Sequence, residues 1–336
     1  MVVVLSERNR KGYPSGVIER DITDTVLQRH LAEISRDSID LFLLGDAAGE
    51  AMLRLACIHG TSLVNHARIS HRLGTPEALV LGEALLATAL GGTNLKESET
   101  FSCLLESDGP LGGFVTEVNM AGHLRGYLKV SGEPEAYEAS TDPVDLLGTG
   151  WLDVVRSNQE RSHVSRGHVE WLPGSVAWNL ERYFATSEQT ATSIHISTHC
   201  DGDGRILGAA ALLMQRMPGG SDEGFRAARE MMPAPAEPAK RLSLGETAPE
   251  IVRELFREYR PRLVSARNTE FFCPCSRERF ARFLSALPAE EARDILENGP
   301  IPLVTTCYNC SSEYSFTERD LREIFGVSGQ GNTFTS

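Results

Sequence analysis

Hydrophobic and polar positions change their period several times along the chain. Residues 1 to 37 are mostly polar, with one short helical pattern (Val26, Leu27, Leu31, Ile34), and predict an N-terminal extension. Met52 to Cys57 reads as a strand, after which Thr61 can cap a helix running through Leu73. Thr75-Pro76-Glu77 then supplies a capping residue, a proline at the first helical position and an acid in the first turn. The helix that follows, Ala78 to Leu90, is apolar nearly all round and ends at Gly91-Gly92. It is too short to cross a bilayer, so it should lie buried in a core.

Between Thr100 and Val130 the pattern becomes short strands broken by Ser107-Asp108-Gly109-Pro110 and Gly112-Gly113, as in an antiparallel meander. Strands near 150–156 and 162–171 precede a helix at Ser175–Ser187, and Ser193–His199 with Arg205–Met217 reads as a hairpin across Asp201-Gly202-Asp203-Gly204. Residues 38–217 therefore predict one α+β core domain of antiparallel sheet and helix. From Pro218 to Lys240 the composition turns to Pro, Gly, Ala and Glu, which reads as a linker, and Pro249–Tyr259 carries an apolar stripe of Ile251, Val252, Leu255 and Phe256. We assign 218–265 as a linker with an amphipathic helix, 266–325 as a small C-terminal domain and 326–336 as a disordered tail.

The 336 residues are 41% apolar, enough for a sizeable core, and the net charge of −13 repels phosphate backbones and anionic lipid alike. Neither nucleic acid nor membrane is expected as a partner. The opening Met-Val-Val-Val-Leu run gives way to Glu7, Arg8, Arg10 and Lys11, without the apolar region or cleavage site of a signal peptide. The expected setting is cytoplasmic, where clustered thiols signal metal or redox chemistry rather than permanent bridges.

Four of the seven cysteines form such a cluster: Cys273-Pro274-Cys275 and, after 31 intervening residues, Cys307-Tyr308-Asn309-Cys310. Two close thiol pairs brought together by folding make a tetrahedral S₄ site suited to one zinc per chain. Residues i and i+2 of an extended segment point the same way, so Cys273 and Cys275 can reach one metal. The segment predicts a helix after Cys275, a second beginning at Pro288, a strand Ile301–Cys307 and a last helix capped by Thr317 with Asp320 three residues on. A unit of this size with few large apolar residues needs a staple, which a metal supplies.

Other candidates are weaker. His168-Val169-Glu170 with Pro274-Cys275 is close to the zinc-deaminase signature, but Glu278 stands where its second cysteine should be. His195 and His199 would form a metal pair only on a helix, whereas Ile194, Ile196 and Thr198 alternate as a strand. The Asp201–Gly204 run has too few ligands for a calcium loop, and Cys57, Cys103 and Cys200 read as small buried hydrophobes.

The chain resembles the 33 kDa chaperonin family (heat-shock protein 33) over about residues 38–325. The resemblance rests on Ala78–Thr88, Leu104-Leu105-Glu106-Ser107-Asp108-Gly109-Pro110-Leu111, Leu124-Arg125-Gly126-Tyr127, Tyr183–Gln189 and Cys273-Pro274-Cys275-Ser276-Arg277-Glu278-Arg279. It implies a redox-regulated, ATP-independent holdase chaperone rather than an enzyme. The reduced form would hold zinc through Cys273, Cys275, Cys307 and Cys310 and be inactive. Oxidation would release zinc, unfold the switch and linker, and let the protein, as a homodimer, capture unfolding client proteins.

Elementary chemistry runs the same way. A thiolate oxidised to a sulfenic acid condenses with its nearest neighbour, which pairs Cys273 with Cys275 and Cys307 with Cys310. Loss of the metal would then unfold the segment and uncover Phe271, Phe272, Phe280, Phe283 and Leu284. Two other classes stay open at this stage: a constitutive structural zinc-ribbon module and a thiol-disulfide oxidoreductase.

Overall fold

The computed structural model describes residues 21–45, 50–130, 140, 142–158, 164–234 and 236–327. In chain order the elements are α1 (Thr25–Glu33), β1 (Ser38–Gly45), β2 (Ala51–His59), α2 (Thr61–His71), α3 (Thr75–Gly91), β3 (Glu99–Ser107), β4 (Gly113–Asn119) and β5 (His123–Leu128). There follow α4 (Pro143–Leu147), β6 (Gly150–Asn158), β7 (Val164–Trp171), α5 (Val176–Ser187), β8 (Thr192–Cys200), β9 (Ile206–Arg216), α6 (Asp222–Glu230), α7 (Glu237–Ser243) and α8 (Ala248–Leu255). The last are β10 (Arg262–Asn268), β11 (Glu270–Phe271), α9 (Arg277–Ser285), α10 (Ala289–Asn298), β12 (Leu303–Thr306), β13 (Glu313–Phe316) and α11 (Glu318–Ile324). The fold is α+β, and it divides into a large unit, Asp21–Phe272, and a small one from Cys273 onward.

The large unit holds two sheets, a five-stranded one in the order β10-β1-β2-β9-β8 and a six-stranded one in the order β11-β5-β4-β3-β6-β7. The apolar helix α3 packs against β2, β8 and β9 of the first and β3, β4 and β5 of the second. Its lack of a polar face follows from that position: Leu81, Leu85 and Leu90 join Ile58 and Leu213 on one side and Phe101 and Phe114 on the other in a single core.

Both faces of the five-stranded sheet are covered, which explains the unbroken apolar run of β9. Ala209, Ala211 and Leu213 face the core with α3, while Leu212 and Met214 join Phe42, Leu44, Leu53 and Leu55 on the opposite, outer face. Phe225 and Ala228 of α6, Ala248 and Val252 of α8, and Phe256 cover that outer face. Each large side chain buried there contributes about 1.5–3 kcal/mol. Arg241 ties the covering helices together through Glu237 at 3.5 Å, Glu246 at 2.5 Å and Glu254 at 2.6 Å.

Several expected features differ in the structure. Residues 218–265 read as a linker because they are rich in small residues and proline, yet small residues are what permits their close packing. Ala239, Leu242 and Ile251 are buried with Ala210 of β9. Residues 266–272, expected with the C-terminal domain, belong to the large unit: β10 pairs antiparallel with β1 and β11 parallel with β5. The described part of the N-terminal extension forms α1, capped by Asp24 and anchored by buried Leu27. Residues 1–20, and the tail from 328 on, lie outside the described residues. Thr61 does not cap α2. Asp37 does so from a distance, accepting from the Ser62 and Leu63 amides at 3.1 and 2.6 Å, while the Thr61 hydroxyl accepts from the Ala209 amide. Likewise Gly74, not Thr75, stands at the N-cap of α3.

The approach of α7 to β9 depends on Gly208, where a Cβ would lie 1.9 Å from the Ala239 carbonyl oxygen. Gly208→Ala should therefore lift α7 off the sheet. Hydrogen exchange should show Glu237–Ser243 losing protection while β2 and β9 keep theirs, and unchanged protection of α7 would refute the account of this packing.

Candidate metal centre

The C-terminal unit has a core of Leu284, Leu303, Tyr314, Phe316 and Leu321, with Phe280, Leu287 and Ile295 partly buried against it. Its local signals are strong. Ser276 caps α9, accepting from the Arg279 amide, and Thr317 with Asp320 forms a reciprocal capping box on α11. The strand predicted at Ile301–Cys307 is the shorter β12, and it forms an antiparallel hairpin with β13.

That hairpin presents one cysteine pair. The Cys307 amide donates to the Ser312 carbonyl at 2.9 Å, and the Ser311 and Cys310 amides both turn back to the Cys307 carbonyl at 2.7 and 3.3 Å. Ser311 closes the turn in the left-handed region at φ 55°. The other pair lies just before α9, with Pro274 between its members and Cys275 next to the capping serine. Connectivity thus delivers each pair as a unit, and folding needs to bring together only a hairpin loop and a helix entry.

The four sulfurs lie within 4.8 Å of one another and could hold a metal ion. Cys273 Sγ is 3.7 Å from Cys307 Sγ, and Cys275 Sγ is 3.3 Å from Cys310 Sγ. Sulfurs at the corners of a tetrahedron around zinc, about 2.3 Å from its centre, stand about 3.8 Å apart. The donor set therefore fits such a group in both size and chemistry. Both of these separations run across the two pairs, from the helix entry to the hairpin, so closure of the cluster ties one element to the other.

Hydrogen bonds among the sulfurs divide their proton affinities. The bond with Cys273 holds the Cys275 thiol down at about 7, and Cys310 is held lower still, first by Cys273. Cys273 is raised chiefly by Cys275, and Cys307 chiefly by Cys273. Sulfurs that share protons in this way give them up when a cation binds. Two hydroxyls that the sequence did not single out also reach the cluster. Tyr314 donates to Cys275 Sγ at 3.0 Å, and Ser312 Oγ lies 3.3 Å from Cys310 Sγ.

The remaining candidates stay apart. Cys57 and Cys103 are buried in the large unit, and burial pushes the Cys103 thiol up to about 12 and Cys57 higher, whereas Cys200, expected to be buried as well, is only partly so at the end of β8. His195 and His199 lie on β8, and His168 on β7 stacks on Trp151 and hydrogen-bonds Asp153. Asp201 accepts from the Asp203 and Arg205 amides and forms the turn of the β8–β9 hairpin.

The sequence profile of the family described as Hsp33 protein matches residues 44–317, from β1 through the last residue before α11. The chain belongs to the Hsp33 protein family. The 33 kDa chaperonin of Desulforamulus reducens is 27% identical over 289 residues, covering 84% of this chain and 96% of the relative. That of Bacillus subtilis is 27% identical over 290 residues, with 84% and 97% covered. The crystal structure of the 33 kDa chaperonin (heat shock protein 33 homolog) from Thermotoga maritima superposes with a TM-score of 0.72 at 23% identity, covering 86% of this chain and 98% of that one, and so shares its fold. Hsp33 proteins are chaperones rather than enzymes, and a cysteine cluster able to hold a metal fits a chaperone under redox control. Among the described residues no helix is long and apolar enough to cross a membrane.

Proposed function

We propose that this chain is a cytoplasmic, ATP-independent holdase that is zinc-bound and inactive when reduced, and that oxidation of Cys273, Cys275, Cys307 and Cys310 switches it on. The observation that carries the reading is the gathering of four sulfurs within 4.8 Å in a unit whose buried apolar core is, among the described residues, five side chains. Zinc, when bound, supplies the binding energy that such a core lacks, about 10–16 kcal/mol in small structural sites.

The chain's own residues provide the rest. A thiolate of the cluster displaces hydroxide from peroxide and becomes a sulfenic acid. A second thiol attacks that sulfur, water leaves, and a disulfide forms. Once the hairpin and helix entry come apart, the nearest partners are sequence neighbours, which gives Cys273–Cys275 and Cys307–Cys310 and leaves no thiolate for a metal. The C-terminal unit then unfolds, and the chain just before it, β10 and β11 with α6–α8, loosens from the sheets.

What this uncovers is the outer face of the five-stranded sheet, with Phe42, Leu44, Leu53, Leu55, Leu212 and Met214. An apolar face of this kind binds unfolding proteins through their own exposed apolar segments, with a homodimer as the oxidised form. Phe272 and Phe283 are 43% and 40% exposed already, so unfolding adds less at them than at buried Leu284 and partly buried Phe280. Mass spectrometry of peroxide-treated protein should find the two neighbour pairs bridged, with Cys57, Cys103 and Cys200 reduced. Bridges from Cys273 to Cys307 and from Cys275 to Cys310 would mean that oxidation locks the folded cluster instead of opening it.

A further inference from the structure

The Tyr314 side chain is only 2% exposed, and its ring packs on Phe280 with centroids 5.0 Å apart. Pairing of β13 with β12 sets its backbone opposite Thr305, and the packed ring holds the hydroxyl toward Cys275. The sulfur lies 3.0 Å from that hydroxyl. A phenylalanine would fill the same space, and a buried hydroxyl is costly unless it is bonded. The hydroxyl at this position is therefore matched to the sulfur.

We propose that Tyr314 is a positioning residue for Cys275, its O–H both fixing the direction of the sulfur and drawing electron density from it, so that Cys275 is presented to a metal and reacts more slowly with a hydroperoxide. The inference rests on the reading of the cluster as a metal-holding thiol switch. Groups that hydrogen-bond a ligand atom orient it and tune its donor strength, and hydrogen bonds to thiolate sulfur lower its energy. Nucleophilicity falls with that energy. In the step that is slowed, the Cys275 thiolate bonds to the terminal oxygen of the hydroperoxide and the O–O bond breaks. Sulfur is oxidised to the sulfenic acid, and the peroxide is reduced to an alkoxide or hydroxide that takes a proton from water.

The test uses the reduced full chain loaded with cobalt(II), whose sulfur-to-metal charge-transfer band reports the donor strength of the thiolates. Tyr314→Phe should move the band to longer wavelength, weaken cobalt binding by about 10-fold, and raise several-fold the rate at which Cys275 is trapped as a sulfenic acid. A purely packing role would leave the band where it is. A Phe variant with the original band and the original Cys275 rate overturns the proposal. If that variant fails to fold, 3-fluorotyrosine at position 314, a stronger donor in the same ring, should shift the band to shorter wavelength and slow trapping. No shift in either measure again overturns it. If the unmodified chain takes up no cobalt, the switch reading falls, while the Cys275 trapping rate in metal-free protein still decides the role of Tyr314.

Discussion

Reduced protein carrying Cys307→Ser and Cys310→Ser together is expected to bind no zinc and to lose the fold of its C-terminal unit. Serine offers a neutral hydroxyl where the site needs a thiolate, and two of the four sulfurs that lie within 4.8 Å of one another disappear. What then remains is a core of five buried side chains, and a hairpin whose turn is built on Cys307. The loss of about 10–16 kcal/mol of metal binding is as large as the whole stability of a typical domain, about 5–15 kcal/mol. The large unit, with its own core around α3, should remain folded. Metal analysis and amide NMR give the answer. Full zinc in the double variant would rule out these four cysteines as the ligand set, and an intact C-terminal unit without zinc would remove the physical basis of the switch.

Ending the chain after Met217 should give a protein that suppresses aggregation of a heat-unfolded client with neither oxidant nor ATP. The cut removes α6, α7 and α8 and with them Phe225, Ala228, Ala248, Val252 and Phe256, which cover the outer face of the five-stranded sheet. It also removes β10 and β11, the terminal strands of the two sheets, while α3 and both sheets' central strands keep their shared core. Phe42, Leu44, Leu53, Leu55, Leu212 and Met214 would then face solvent as one apolar surface. Light scattering of the client should fall to the level given by oxidised full-length protein. A truncated form that is folded yet inert would place the client-binding surface in the removed segments.

How far the sequence disclosed these features depended on whether their causes are local. Helix α3 is legible because an all-round apolar run of its length has one home, between layers. The cysteine pairs are legible because ligand spacing is a property of the chain itself. The β8–β9 hairpin is legible from its Asp-Gly-Asp-Gly turn. By contrast β10 is almost wholly exposed and has no apolar alternation, so its strand exists through pairing with β1 far upstream. The covering role of residues 218–265 was hidden for a related reason. Proline and alanine signal a linker locally, and only the approach of Ala239 to Gly208 shows why small residues are needed there. The cap of α2 by Asp37 and the contact of Tyr314 with Cys275 are both tertiary, spanning 26 and 39 residues, and no spacing rule announces them.

The most direct test of the account measures zinc content and suppression of client aggregation on one sample, first reduced and then after peroxide. The reduced protein should carry one zinc per chain and give no protection, and oxidation should bring loss of zinc and full protection, both reversed by a thiol reductant. Reduced, zinc-loaded protein that protects a client as well as the oxidised form does would contradict it.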